Sequence, residues 1–483
     1  MRFAAKHTVF GFLALLVAAN ASARAKLYLS VTENGVLAPA KLVIKGRYGT
    51  RDPNLGPPSR AAGALNVVMA AIGKASLKLD PGKYRIYALR GLEFDLAQAD
   101  VVLKGSGTTS LTIPLIRAFA TPGAIAADLH SHALPSKDSS IALADKIAQA
   151  VAEGVEVLVE TDHNQVTDLN PALVQMGMQA RLHVVAGAEV TTPASAYGHF
   201  NVYPIHPALP SPPWWSAPAG IFHSARLPQG ERIIQVNHPR GGVFGTFTLL
   251  DLDPATGLSP DPAWDGAFDA VEILDNANTF QGHEVLADWF NLLDQGHTYT
   301  AVGNGDSHVM IGQELGWPRN YLLVDHDDPA SFSDADLVQA VKRHKSFLTN
   351  GPYITLDVAG QATLGDLVTL PPGPTEIHVT VDAAAFVGLD AVELWGNSTM
   401  LASLTPGCCG TRRIDTTVTV DLERDTWIVA VARGPGYTPS IPQPLSKAAT
   451  FAVTNPVWVD VDGVDADGDG SLFDAVHGPA PPG

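Results

Sequence analysis

The sequence predicts an α/β protein in which a central region of alternating strands and helices lies between two β-rich regions. Three observations lead to this prediction. Short segments of alternating apolar and polar residues occur towards both ends of the chain, apolar strand-like runs alternate with helical segments in the middle, and polar residues flank several of those middle runs. Alternation with a period of two indicates half-buried strands, whereas alternating strand and helix patterns indicate βα units.

The first 25 residues predict an export signal. Arg2 and Lys6 precede the apolar run "TVFGFLALLVAA", and "ANASARA" supplies small residues suited to cleavage. The apolar run is too short to cross a bilayer comfortably. We therefore expect a periplasmic or secreted protein with no membrane attachment after signal cleavage.

Three regions follow the signal. Residues 26–120 predict an N-terminal β-sandwich-like domain, because segments such as "KLYLSVTENG" combine alternation with turn residues. Residues 121–352 predict the α/β domain, where the helical pattern "SSIALADKIAQAVAEG" leads into the apolar strand "VEVLVETDHN". Residues 353–460 return to strand patterns and predict a C-terminal β domain.

Residues 461–483 predict an acidic tail rich in glycine and proline. Asp465, Asp467 and Asp469 are spaced as at the start of a calcium-binding loop, but Val476 stands where such a loop has glutamate. A solvated tail is therefore favoured over a weak calcium site. Cys408 and Cys409 are adjacent, and the sequence leaves open whether they form a vicinal disulfide or two free thiols.

Composition narrows the class of protein. A chain of 483 residues suggests two or three domains, and 46% hydrophobic with 17% charged residues is typical of a globular protein. The formal net charge of −18 argues against partners that are nucleic acids or anionic membranes.

Polar residues of the kinds that bind metals stand at the ends of successive predicted strands in the middle region. In parallel βα architectures such strand ends meet at one edge, so we expect these side chains to lie close together. His130 and His132 are two residues apart and therefore share a strand face. The remaining candidates are Asp162, His163, Glu189, His199, His238, Asp306 and His308.

This donor set predicts a metal centre. Any one of these histidines alone is more readily explained as a core or loop residue, but together they are hard to ascribe to chance. Imidazole and carboxylate without thiolate suit zinc, manganese or iron. Six histidines and three carboxylates exceed what one tetrahedral ion needs, so two or three divalent ions are expected.

The order of the motifs "DLHSH", "TDHN", "GAEV", "NHP" and "GDSH" resembles that of the PHP (polymerase and histidinol phosphatase) superfamily of metallohydrolases. The flanking segments "NGPYITLDV" and "NPVWVDVDG" are similar, more loosely, to those of its carbaryl-hydrolase-like (CehA/McbA) branch. The resemblance implies a distorted (β/α)7 barrel over residues 121–352, flanked by the β-sandwich-like domains, with a multinuclear metal centre.

The resemblance also implies how the ligands are grouped. His130, His132 and Asp306 hold one ion, and Glu189 bridges it to a second ion that His199 and His238 complete. Asp138, His163 and His308 hold a third ion, which is the least secure because Asp138 stands where relatives carry either aspartate or histidine. Asp162 is expected to orient a ligand rather than to bind metal itself.

We expect metal-assisted hydrolysis of a small-molecule substrate, in which a hydroxide bridging two ions attacks an ester, amide or carbamate bond. Glu189, Asp306 and His238 would then be catalytic as well as ligating. Arg240 is a candidate contact for an anionic substrate group, with a salt bridge as the more frequent alternative. His283 and Asn276 are candidate pocket residues.

Several alternatives remain at this point. Few basic residues flank the motifs, which favours a carboxylic-type bond over the phosphate ester that a PHP-type phosphoesterase would cleave. An amidohydrolase-type enzyme would need a bridging lysine where Glu189 stands, and a non-catalytic secreted metal-binding protein would show gaps in the ligand set. Trp214 and Trp215 either cover the substrate or pack their proline-rich loop, and the second interpretation is preferred.

Overall fold

The N-terminal region is built from two four-stranded sheets. The strands are β1 (Ala25–Glu33), β2 (Val36–Leu37), β3 (Ala40–Arg47), β4 (Val67–Ala70), β5 (Lys74–Leu79), β6 (Gly82–Leu89), β7 (Ala97–Leu103) and β8 (Thr108–Leu115). Strand β1 pairs with β2, β5 and β8, and β3 pairs with β4 and β6, which continues to β7. Every second residue of β1 from Ala25 to Val31 is buried, and Leu27 and Leu29 pack in one core with Leu42 and Ile44 of the other sheet.

The middle region holds short strands whose residues are almost all buried. They are β9 (Ala124–Ser131), β10 (Val157–Glu160), β11 (His183–Ala186), β12 (Ala188–Thr191), β13 (His199–Tyr203), β14 (Ile233–Val236), β15 (Ala270–Asp275), β16 (Thr300–Asn304), β17 (Arg319–Leu323) and β18 (Ser346–Thr349). The helices are α1 (Leu143–Ala152), α2 (Asn170–Met176), α3 (Pro218–Arg226), α4 (Thr246–Leu249), α5 (Gly282–Asp294) and α6 (Asp334–Lys342). A capping box of Ser333 and Asp336 begins α6.

The C-terminal region consists of strands. They are β19 (Tyr353–Val358), β20 (Ala362–Thr363), β21 (Leu367–Thr369), β22 (Gly373–Asp382), β23 (Ala391–Gly396), β24 (Thr399–Leu404), β25 (Arg412–Leu422), β26 (Thr426–Gly434), β27 (Thr450–Thr454) and β28 (Val457–Asp460). One four-stranded sheet runs β20-β19-β22-β25. The remaining strands do not form a sheet of their own, because β27 pairs with β18 of the middle region.

That pairing creates an eleven-stranded sheet across the boundary predicted at residue 352. Its main path is β11-β10-β9-β17-β18-β27-β26-β23-β24, with β28 and β21 attached at β26. A separate five-stranded sheet runs β12-β13-β14-β15-β16. Ile125 and Val157 of the large sheet share a core with Ala270 and Val302 of the small sheet, so the two sheets face each other in the middle region.

The prediction of a distorted (β/α)7 barrel is wrong. The computed structural model describes residues 24–227, 230–275, 282–407, 410–437, 449–464 and 473, and it is mostly β, with 41% strand and 13% helix. Its six helices, counted over those ranges, are too few for a helix after every strand of such a barrel. Strands β12, β13 and β14 pair antiparallel, as do β9 and β17. Buried strands have the same continuous apolar pattern in either orientation, which is why the sequence misled.

Two isolated bridges join the sheets where the polar residues lie. Ser131, at the end of β9, pairs with Ser307 beyond β16, and His163 beyond β10 pairs with Glu189 in β12. Over the described ranges, no helix is both long and apolar enough to cross a membrane. The predicted export signal falls almost entirely outside those ranges, as do Asn276, Cys408, Cys409, Asp465, Asp467 and Asp469.

Candidate metal centre

The predicted ligands come from the ends of strands in both middle sheets. His130 belongs to the end of β9, Glu189 to β12 and His199 to the start of β13. His163, His238, Asp306 and His308 follow β10, β14 and β16 within a few residues, and Asp138 lies in the loop after β9. The turns are tight, since His238 and Asp306 have positive φ angles of 29° and 42°.

Glu189 lies at the centre of this group and is 1% exposed. Five imidazoles surround its carboxylate. The distances to its two oxygens are 2.7 Å from His163 Nδ1, 2.9 Å from His199 Nδ1, 3.4 Å from His238 Nε2, 3.5 Å from His130 Nε2 and 3.5 Å from His132 Nε2. Asn237 Nδ2 also donates to Glu189 Oε1 at 3.0 Å. A single carboxylate therefore joins ligand candidates from both sheets.

Asp306 also lies close to His130 and His132. Its Oδ1 lies 3.2 Å from His130 Nε2 and 3.2 Å from His132 Nε2. The same oxygen lies 3.6 Å from His308 Nδ1. The two carboxylates, Glu189 and Asp306, therefore both face the Nε2 atoms of His130 and His132.

Asp138 forms a more exposed corner of the centre. Its Oδ2 lies 2.9 Å from His163 Nε2 and 3.2 Å from His308 Nε2, and its side chain is 49% exposed. Ser136 Oγ donates to Asp138 Oδ1 at 2.9 Å. The His132 and His308 rings stack with centroids 4.0 Å apart, which links this corner to the buried pair.

Three overlapping sets of these side chains place one ligand atom each within 4.8 Å of one another. They are His132, Asp138, His163 and His308; His130, His132 and Glu189; and His163, Glu189 and His199. Among the predicted ligands, four buried ring nitrogens have no hydrogen-bond partner, namely His130 Nε2, His132 Nε2, His199 Nε2 and His238 Nδ1. Burying such groups unpaired is costly. A cation among them would satisfy the nitrogens, so these groups can hold a metal ion.

The carboxylates and imidazoles shift each other's pKa strongly. Burial raises the pKa of Glu189, but His163, His199 and His130 outweigh it and hold that pKa well below its usual range. Burial also lowers the pKa of His163, yet Glu189 and Asp138 raise it to about 10. Burial lowers the pKa of His132 to about 3. The negative charge of the carboxylates is therefore balanced by a positive charge, either that of a protonated imidazole or that of a metal ion.

A second layer of carboxylates holds the ligands, and the sequence reasoning missed it. Glu272 Oε1 lies 3.0 Å from His130 Nδ1, and its Oε2 accepts the His238 backbone N–H at 2.8 Å. Asp128 accepts the N–H groups of Gly305 at 3.0 Å and His130 at 3.2 Å, and burial raises its pKa to about 6. The available signal was a carboxylate inside each of the apolar strands "AVEILD" and "AIAADLHS".

Asp162 lies behind the ligands. It is 0% exposed, and it accepts the Ala133 N–H at 2.9 Å and the Thr167 hydroxyl. It thereby fixes the chain that follows His132, and the structure places it away from the cavity wall. The role of Asp162 in orienting a ligand stays a prediction.

The structure does not bring Arg240 to the cavity. Its guanidinium forms two hydrogen bonds of 2.7 Å with Asp288 of α5. Trp214 and Trp215 are also absent from the cavity wall; they contact each other edge to face at 5.6 Å and are 37% and 68% exposed. The side chain of His283 lies outside the described parts of the chain.

The centre opens into a cavity of about 710 Å³. Seven predicted ligands line its floor, which are Asp138, His163, Glu189, His199, His238, Asp306 and His308. One wall is uncharged and consists of Thr191, Thr192, Ala194, Gly241, Gly242 and Phe244. Among the described residues that line the cavity there is no lysine or arginine.

Comparisons with known proteins do not identify a family. No family model and no curated protein matches the chain. A crystal structure of an engineered protein is similar at 12% identity and a TM-score of 0.16, covering 65% of this chain and 51% of the other. The chain thus spans about half the length of that protein, and a likeness this weak carries no argument about fold or function. The PHP resemblance stays a prediction from the sequence motifs.

Proposed function

We propose that this protein is a metal-dependent hydrolase that cleaves an ester, amide or carbamate bond of a neutral small molecule. One observation carries the proposal: the carboxylates of Glu189 and Asp306 both lie close to the buried Nε2 atoms of His130 and His132, which have no hydrogen-bond partner. Negative charge and ring nitrogens without a partner therefore lie together beside an open cavity, where a bound ion would reach a substrate.

The side chains support two or three ions. His130 and His132 would hold the first ion together with Asp306, and Glu189 would be shared with a second ion at His199 and His238. His163, His308 and Asp138 would hold the third, and the half-exposed Asp138 makes that ion the most exchangeable. Nitrogen and oxygen ligands without sulfur favour zinc, manganese or iron.

A divalent ion held by these residues would lower the pKa of a bound water and polarise a carbonyl oxygen. The protein's part is to hold the ligands and to shape the substrate site. Glu272 fixes the ring of His130, so that Nδ1 faces Glu272 and Nε2 faces the carboxylates of the centre. Asn237 Nδ2 donates to Glu189 Oε1 and thereby orients that carboxylate.

The uncharged wall favours a neutral substrate. Bound metal ions would offset Asp138, Glu189 and Asp306, but no lysine or arginine among the described lining residues would bind the remaining oxygens of a phosphate ester. Phe244 is 50% exposed at the cavity, with its ring 5.4 Å from that of His199, and offers an apolar surface to a group attached to the scissile bond.

Metal content and hydrolysis of three model substrates test the proposal. Purified protein is analysed for bound metal and assayed with p-nitrophenyl acetate, p-nitrophenyl phosphate and a naphthyl carbamate. We expect more than one transition-metal ion per chain, and faster cleavage of the acetate or carbamate than of the phosphate. Glu189→Gln should lose most of both metal and activity, whereas Glu423→Gln, at an exposed position, should lose neither.

Each possible result has a defined meaning. Less than one bound ion per chain would contradict the metal centre. Phosphatase activity far above the other two activities would replace the proposed substrate class with phosphate esters. Tight metal binding without hydrolysis of any substrate would support a metal-binding protein, and full activity in Glu189→Gln would rule out the shared-ligand role of Glu189.

A further inference from the structure

A buried lysine lies directly beneath the turn that carries Asp306 and His308. Lys146 belongs to α1 and is 0% exposed. Its ammonium donates to the backbone oxygen of Ser307 at 2.8 Å, and it lies 3.4 Å from Ser307 Oγ. Ser307 stands between the two predicted ligands, so the lysine contacts the peptide that joins them.

The Ser307 peptide is a junction of three segments. Its oxygen also accepts the backbone N–H of His132 at 3.2 Å, and Ser307 pairs with Ser131 in a parallel bridge. One carbonyl group therefore ties α1 to the ends of both sheets. A displacement of this carbonyl would move His132 on one side and Asp306 and His308 on the other.

The turn at this point needs outside support. Asp306 has a φ angle of 42°, a left-handed conformation that costs an L-amino acid about 1 kcal/mol or more. The Ser307 hydroxyl donates to the Val309 oxygen at 3.2 Å, which closes the turn locally. The ammonium adds a charge-assisted bond, and such bonds are stronger than those between neutral groups.

The surroundings of Lys146 compensate part of the cost of burying its ammonium. Burial lowers the pKa of Lys146, and four carboxyl groups partly oppose that shift, namely Glu160, Asp128, Asp162 and Asp306. Glu160 is itself fully buried and accepts the Ser131 hydroxyl at 2.9 Å. A buried ammonium is costly unless it is compensated. Here the compensation that exists comes from the residues that frame the metal centre.

We propose that Lys146 is a positioning residue, which fixes the Ser307 peptide and thereby sets Asp306 and His308 for metal binding. The proposal rests on the proposed function, because it assumes that these two side chains bind metal. It predicts that the loss of the ammonium weakens metal binding beyond any general loss of stability.

The test compares three variants by their metal binding. The dissociation constant for Zn²⁺ is measured by competition with a chelating dye, and melting temperatures are recorded for metal-free and metal-loaded protein. Lys146→Met should raise the dissociation constant about tenfold or more, as is typical when a group supporting a ligand is removed. Lys146→Gln keeps a donor and should recover part of that loss. The visible spectrum of Co²⁺-loaded Lys146→Met should also change.

Lys41→Met is the matched control. Lys41 is also buried, at 1% exposed, but its ammonium pairs with Glu153 at 2.5 Å, away from the ligands. We expect it to lower the melting temperature without weakening Zn²⁺ binding. Unchanged affinity in Lys146→Met, or equal weakening in both lysine variants, would overturn the positioning role. If Lys146→Met does not fold, the affinity of Lys146→Gln decides in the same way. Wild-type protein that binds no Zn²⁺ would instead overturn the proposed function.

Discussion

Glu272 Oε1 lies 3.0 Å from His130 Nδ1, and the other ring nitrogen, His130 Nε2, faces Glu189 and Asp306. The second oxygen of Glu272 accepts the His238 backbone N–H, so this carboxylate supports two predicted ligands at once. Asn304 Nδ2 donates to Glu272 Oε1 at 2.8 Å and fixes its rotamer. A carboxylate behind a histidine selects the tautomer whose other nitrogen is free to bind metal.

Replacement of Glu272 should therefore weaken metal binding although Glu272 is not itself a ligand. Glu272→Gln removes the negative charge behind His130, and we expect metal affinity to fall about tenfold. Dye competition measures that change. Glu376→Gln, at an exposed position of β22, is the control and should bind metal like the wild type. An unchanged affinity in Glu272→Gln would show that His130 does not depend on this contact.

The clustering of the polar residues could be predicted from the sequence, but the fold around them could not. His130, Glu189 and Asp306 interrupt or end apolar strands, and residues that interrupt such strands need a polar partner when buried. Because each needs a polar partner, Glu189 and Asp306 both lie within ion-pairing distance of His130. Strand order and direction depend on pairings far apart in the chain, such as β18 with β27, and hydrophobic pattern does not encode them.

The supporting residues were missed for a related reason. Glu272 and Lys146 lie within a buried strand and a helix, where their neighbours suggest a role in packing alone. Their polar partners, His130 and Ser307, are more than a hundred residues away in sequence. Only the folded chain shows which charge each of them meets.

The pair of Arg240 and Asp288 should act in stability rather than in substrate binding. Asp288 is 0% exposed, and removal of its partner leaves a buried carboxylate without compensation. We expect Arg240→Met to lower the free energy of unfolding by about 3 kcal/mol. Urea denaturation measures this loss, with Arg424→Met at an exposed position as the control. A selective rise in KM for anionic esters, without loss of stability, would instead assign Arg240 to the substrate.

Under the proposed function, Phe244 should determine how well an apolar leaving group is bound. We expect Phe244→Ala to raise KM for 1-naphthyl acetate about fivefold, because a large apolar contact area is lost. Methyl acetate has no group that reaches this ring, and its KM should stay the same. Val243→Ala is the control, since Val243 is 66% exposed and does not line the cavity. Equal changes for both esters would place Phe244 outside the substrate site.

Glu156 should make the stability of the protein depend on pH. It is partly buried, and its Oε2 accepts the Ala126 N–H at 3.0 Å. Burial, with a smaller contribution from Glu93, raises its pKa from 4.5 to about 7. At pH values between 4.5 and about 7, the Glu156 carboxyl is ionised in the unfolded chain but still protonated in the folded chain. Stability from this group is therefore present at low pH and is lost as the pH rises through 7.

Glu156→Gln should remove this dependence, because glutamine keeps an acceptor for the Ala126 N–H and carries no charge. Near pH 4.5 the variant and the wild type should be about equally stable. Above pH 7 the variant should be more stable than the wild type by on the order of 2 kcal/mol. Urea denaturation across that pH range measures the difference. Glu423→Gln should show no such trend, and a gain for Glu156→Gln that is constant with pH would mean that Glu156 ionises normally in the folded protein.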